Sequence, residues 1–126
     1  MKQELEEKIF AAGPRLFRQK DLSCMETCMC WGIDCGDGWF ALLLEVTRIL
    51  EWHNSNLVRD GKPPVEAAQV KEKYGGLRFY LDNEDDFANG VIRLAELIAE
   101  KTCDVCGAPG IIREGGWLAC RCEEHK

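Results

Sequence analysis

Cys103-Asp104-Val105-Cys106-Gly107 and Cys122-Glu123-Glu124-His125 carry the clearest pattern in this chain, with the fifteen residues from Gly107 to Arg121 between the two pairs. Each pair fits one tight turn, and a hairpin between them returns the chain to a common point, as a tetrahedral zinc ion requires. Gly107 suits the first turn, because glycine takes positive φ without a Cβ clash while backbone N–H groups turn toward the sulfurs. Gly110 to Arg113 and Gly116 to Ala119, separated by Glu114 and Gly115, read as two short strands. The pattern predicts one structural Zn2+ in a module, residues 101–126, packed on a body, residues 1–100.

The ligand set has two arithmetical solutions. Cys120 lies two residues before Cys122, so four cysteines (Cys103, Cys106, Cys120, Cys122) form one alternative. Residues two apart in an extended segment share a face but are stretched apart, which makes C-x-C the poorer chelating turn. The preferred set is Cys103, Cys106, Cys122 and His125, with Cys120 a spare thiol. Four protein ligands leave no open position for water, so such an ion holds a fold rather than performing chemistry.

A chain of 126 residues with 46% hydrophobic and 30% charged residues has the composition of an ordinary globular domain. Its formal charge is −6, which three thiolates and one Zn2+ would change to −7. The first hundred residues hold the imbalance, with 12 basic and 18 acidic side chains. An acidic body disfavours unaided nucleic-acid binding, which depends on phosphate neutralisation, and suits docking to a basic partner. The charged run from Met1 to Lys8 lacks an apolar signal core, and no apolar run has membrane-spanning length. The expectation is a cytoplasmic protein with reduced cysteines, no membrane contact and no disulfide framework.

The body reads as α+β: three main helices and a β-hairpin. Residues 3–20 form a helix broken at Gly13-Pro14. Cys24, Cys28, Cys30 and Cys35 crowd the next stretch; they are either a second metal site or a buried, sulfur-rich packing segment with Met25, Met29 and Trp31. Asp37 is the expected N-cap of a core helix over residues 39–54, and Asn54 to Pro64 a loop. His53, near the end of that helix, has no identifiable partner. The last helix spans residues 84–101, capped by Asn83, with Phe87, Val91, Leu94, Ala95 and Ile98 as its buried stripe and Gly90 allowing close packing on the hairpin.

The hairpin is predicted from Val70, Glu72 and Tyr74 alternating with Lys71 and Lys73, then Gly75-Gly76, then Leu77, Phe79 and Leu81 alternating with Arg78 and Tyr80. One strand face gathers Lys71, Lys73, Arg78 and Tyr80, with Tyr74 at the turn, and is the candidate partner-binding surface. Its plainer reading is a solvated strand face.

C-G-D-G-W-F (35–40), Q-V-K-E-K-Y-G-G-L-R-F-Y (69–80), C-D-V-C-G-A-P-G (103–110) and W-L-A-C-R-C-E-E-H (117–125) together resemble a family of small proteins encoded by tailed bacteriophages and prophages. The likeness spans about residues 30–125 and rests on three motifs in combination, the last two segments together making the zinc motif. It implies a virus-derived protein acting in the bacterial cytoplasm, supports Cys122 and His125 as the second ligand pair, and brings no activity with it.

Three functions follow. The first is a binding protein that occupies or inhibits a host protein, including a component of host defence. The second is a nucleic-acid-binding accessory protein using the hairpin and zinc module. The third is an enzyme or small-ligand binder. The enzyme ranks last, because H-x-E, a phosphate loop, G-x-S-x-G and H-E-x-x-H are all missing from the sequence.

Overall fold

Leu43, Val46, Thr47, Leu50 and Asn54 recur at helical spacing and are the buried side of the longest helix, Phe40–Arg59 (α2). The computed structural model describes residues 1–126. The first helix, Gln3–Ala12 (α1), packs on α2. It stops at Gly13, where a Cβ would lie 2.6 Å from Cγ2 of Thr47. Glu51 of α2 accepts hydrogen bonds from the N–H groups of Arg15 (3.2 Å) and Leu16 (3.0 Å), so the break after α1 is held by a side chain of its neighbour.

The sequence places the end of α2 at Asn54, but the helix continues five residues further, to Arg59. Asn54 is fully buried, its Nδ2 donates to Val65 O (2.9 Å), and its Oδ1 accepts from Val65 N (2.8 Å). A residue type that marks loops serves here as a surrogate peptide partner for the chain entering the sheet. The expected cap also moves. Asp37 lies in a short 3-10 turn, Asp37–Trp39, and its Oδ1 accepts from the backbone N–H of Lys2 (2.8 Å) instead of capping α2.

Three strands, Ile33–Asp34 (β1), Glu66–Lys73 (β2) and Gly76–Asp82 (β3), form a sheet in that order; β1 pairs in parallel with β2, and β2 antiparallel with β3. Lys73 opposite Gly76 leaves Tyr74 and Gly75 as a two-residue loop, both with positive φ (55° and 83°), the backbone a type I′ hairpin turn needs. Val70, Leu77 and Phe79 are buried on the core face. A bulge between Ala67 and Gln69 lets the buried Glu66 and Ala67 begin the strand.

Asp86–Ala99 (α3) lies antiparallel to α2, its first turn beside Trp52 and His53 and its last residues near Trp39. Its cap is Asp85, whose Oδ1 accepts from Ala88 N (2.9 Å); Asn83 takes φ 56° and donates to Pro64 O instead. The buried stripe is Ala88, Ile92, Ala95 and Ala99, so of the expected stripe only Ala95 is buried. Phe87, Leu94 and Ile98 are 40–60% exposed. Alanines admit a close approach to the sheet, and the bulkier parallel stripe is left on the outer edge. Gly90 therefore does not pack on the hairpin, and a Cβ there would meet open space.

Between α1 and β1, two 3-10 turns (Arg18–Asp21 and Met29–Trp31) are pinned to β2 by a polar network. Glu66 receives Arg18 through two hydrogen bonds (2.6 and 2.9 Å) and Gln19 through a third (3.1 Å), while Thr27 donates to Oε1 of Gln19 (2.6 Å). Against the expectation of reduced cysteines throughout, Cys24 and Cys30 are joined in a disulfide, while Cys28 is exposed and Cys35 is buried in the core. These four cysteines do not gather into a ligand cluster. Met25 and Trp31, expected inside, are 94% and 76% exposed, whereas Met29 is buried.

The chain is thus α+β, three helices with a hairpin-centred sheet, ending in a two-stranded ribbon, Ile111–Arg113 (β4) with Ala119–Arg121 (β5).

Candidate metal centre

α3 runs directly into the first ligand pair. After Ala99 the chain makes turns in which Gly107 N donates to Cys103 O (2.9 Å), Cys103 N to Ala108 O (2.8 Å) and Gly110 N to Lys101 O (2.9 Å). Gly107 has φ +80°, the conformation its position predicts. β4 and β5 then return the chain, and a 3-10 turn at Glu123–His125 presents the second pair, with His125 N donating to Cys122 O (3.3 Å).

The four ligand atoms of Cys103, Cys106, Cys122 and His125 all lie within 4.8 Å of one another. Sγ of Cys106 is 3.7 Å from Sγ of Cys122, and Nδ1 of His125 is 3.8 Å from Sγ of Cys103 and 3.2 Å from Sγ of Cys122. A tetrahedron with metal–sulfur bonds of about 2.3 Å has sulfur–sulfur edges of roughly 3.8 Å. The cluster could therefore hold a metal ion with His125 ligating through Nδ1. Cys120 is fully buried outside the cluster, its thiol donating to Glu100 O (3.3 Å), which removes the four-cysteine alternative.

The electrostatics favour a thiolate at the first ligand. Burial raises the Cys103 thiol, but hydrogen bonds from the backbone of Cys122, Cys106 and Val105 outweigh it and bring its pKa down to about 6. An ion held by all four side chains would have no position left for water.

The knuckle is seated on the body by two glycines that the sequence marked only as loop. A Cβ on Gly36 would lie 2.0 Å from Asp104 O, and one on Gly38 would lie 2.1 Å from Cys103 O and 2.6 Å from Gly107 N. Gly38 N donates to Asp104 O (2.9 Å), and the buried Trp39 donates its indole N–H to Thr102 O (2.9 Å). The C-G-D-G-W segment is the cradle of the ligand loop. Asp104, 7% exposed, sits with Oδ1 2.8 Å from Nε of Arg121; burial raises its carboxyl pKa and the Arg121 charge opposes that. At the other end of the module the hairpin turn touches the ribbon, where a Cβ on Gly75 would lie 3.1 Å from Cγ2 of Ile112.

The candidate partner residues are brought together as the alternation predicts. Lys71 pairs with Arg78 across the hairpin, the Lys71 ammonium lies 6.0 Å from the Tyr80 ring centre, and that of Lys73 lies 5.4 Å from the Tyr74 ring centre. The sequence reading missed Trp117. It is 79% exposed on the β4–β5 loop, and with Gly115, Gly116 and Leu118 it faces Glu72, Lys73 and Tyr74 across a cleft of about 530 Å³. His53 does have a partner: Nε2 lies 2.6 Å from Oδ2 of Asp85, and its ring stacks on Phe87 with centres 4.4 Å apart. Since Asp85 also caps α3, the pair ties α2 to α3 and is structural.

No helix is long and apolar enough to cross a membrane. No family model, curated protein or solved structure matches the chain.

Proposed function

We propose that the chain is a small zinc-stabilised binding protein that occupies and modulates another protein through the outer hairpin face and the adjoining cleft. The observation that carries this reading is the continuity of that surface across two separately built parts. Lys71, Lys73, Arg78 and Tyr80 come from the sheet, Tyr74 from its turn and Trp117 from the metal-ligating module. Tyr74, Tyr80 and Trp117 are 67%, 48% and 79% exposed, and tyrosine, tryptophan and arginine are the residue types that dominate binding energy at protein interfaces. The soft Cys3His donor set suits Zn2+, whose role here is to fix the ribbon against the hairpin.

The resemblance to bacteriophage and prophage proteins supports a host protein as the partner, with inhibition of a defence component as the consequence. On this reading the protein works in the bacterial cytoplasm; the Cys24–Cys30 disulfide weighs against that location. A closed ligand set leaves the ion no open position for chemistry, which supports a binder. One observation favours a second reading: the lysine–tyrosine stacks and the exposed Trp117 form the kind of platform on which single-stranded bases stack. The net charge of −6 weighs against it.

The test is capture from bacterial lysate by the tagged, zinc-loaded protein, with and without nuclease and at two salt concentrations. The proposal predicts a stoichiometric protein that survives nuclease and is lost, at least tenfold, with the double variant Lys71→Glu/Arg78→Glu or with Trp117→Ala. Recovery of nucleic acid alone, released by salt, would replace it with the second reading.

A further inference from the structure

The outer edge of α2 and α3 carries the bulk that the core does not use. Leu42 and Ile49 of α2 and Val91, Leu94 and Ile98 of α3 line an apolar groove along the seam between the two helices, and Trp52 of α2 packs against Phe87 of α3 (ring centres 6.0 Å apart). Trp52 is 56% exposed and Leu94 60%. We propose that this groove is the interface of a homodimer, a second copy of the chain laying the same two helices against it.

Three observations select a second copy. The first is area. With large side chains presenting roughly 150–250 Å² each, the exposed fractions at Ile49, Trp52, Phe87, Leu94, Leu97 and Ile98 leave about 500 Å² of apolar surface. That matches the apolar share of the roughly 800 Å² each partner contributes to a stable interface. The second is charge. The chain carries −6, so two copies repel unless they meet where the surface is neutral. The only charged residue lining the groove is Glu45, and Arg48 of the same helix neutralises it at 2.6 Å. A basic partner, which the acidic remainder of the surface would attract, finds here only Glu45, already paired with Arg48.

The third observation is Gly90. A glycine inside a helix costs about 1 kcal/mol relative to alanine. Nothing within the chain lies near its missing Cβ. It stands three residues after Phe87 and four before Leu94, on the flank of the groove, where it lets a facing helix approach closely.

Sedimentation equilibrium of the 126-residue, zinc-loaded chain tests this directly. The wild-type protein should sediment at twice its 14.3 kDa chain mass. Leu94→Glu and Gly90→Gln should each weaken the dimer at least tenfold while keeping wild-type zinc content and far-UV circular dichroism, because both positions are exposed in the single chain. Lys71→Glu/Arg78→Glu, on the hairpin, should dimerise like wild type, so failure of the partner-capture reading and failure of this one are separable. A wild-type chain that stays monomeric to about 100 µM overturns the proposal. So does a dimer that Leu94→Glu leaves intact, which would place self-association elsewhere.

Discussion

Gly38 carries its weight by having no side chain. The atoms that a Cβ would meet, Cys103 O and Gly107 N, belong to the backbone of the ligand turn and cannot yield as a flexible side chain would. Gly38→Ala should therefore cost about 1–3 kcal/mol in urea denaturation. It should also speed zinc loss to a chelator, because the knuckle must lift from its seat. A variant as stable and as zinc-retentive as wild type would show that the C-G-D-G-W segment does not hold the knuckle. The candidate ligand cluster was legible in the sequence because each pair is local: two residues between donors and a glycine after the first pair specify a turn wherever the chain lies. The two seating glycines were not, since the atoms that exclude a side chain at Gly36 and Gly38 come from residues 103–107, more than sixty positions away.

At the scale of elements, hydrophobic period found each helix and the hairpin, and set the hairpin's faces, but misjudged which side of α3 was inside. α3 holds two parallel stripes, Ala88/Ile92/Ala95/Ala99 and Phe87/Val91/Leu94/Ile98, and period alone ranks the bulkier as core. The sheet takes the smaller because α3 packs close against β3. Helix ends fail for a related reason: Asn54 and Asn83 act through partners distant in the chain, Val65 and Pro64, which composition cannot supply. Asn54→Ala would strand the buried N–H and C=O of Val65, and should cost about 1–3 kcal/mol in thermal or urea unfolding. An effect under a few tenths would mean that the last turn of α2 and the start of β2 are not coupled through this side chain. The outer hairpin face was legible because a two-residue turn fixes register, and register fixes which side chains share a face. Trp117 escaped notice as one aromatic in a short strand, given meaning only when β4 and β5 bring their loop opposite Tyr74.

For the whole molecule, the body and the metal-ligating module are joined through the ligand turn on one side and the hairpin turn on the other, so the metal centre and the proposed partner surface stand or fall together. Binding of metal and ordering of residues 101–126 should be one event, as they are at closed structural sites. The most direct measurement is zinc stoichiometry and thermal unfolding of the wild type beside Cys106→Ser and Cys120→Ser. One equivalent of zinc is expected in the wild type and in Cys120→Ser. Cys106→Ser should hold none and lose the cooperative unfolding of the module, with Trp117 fluorescence changing accordingly. Full zinc and an unchanged melting curve in Cys106→Ser, or loss of zinc in Cys120→Ser, would contradict the Cys103, Cys106, Cys122, His125 centre and the surface built upon it.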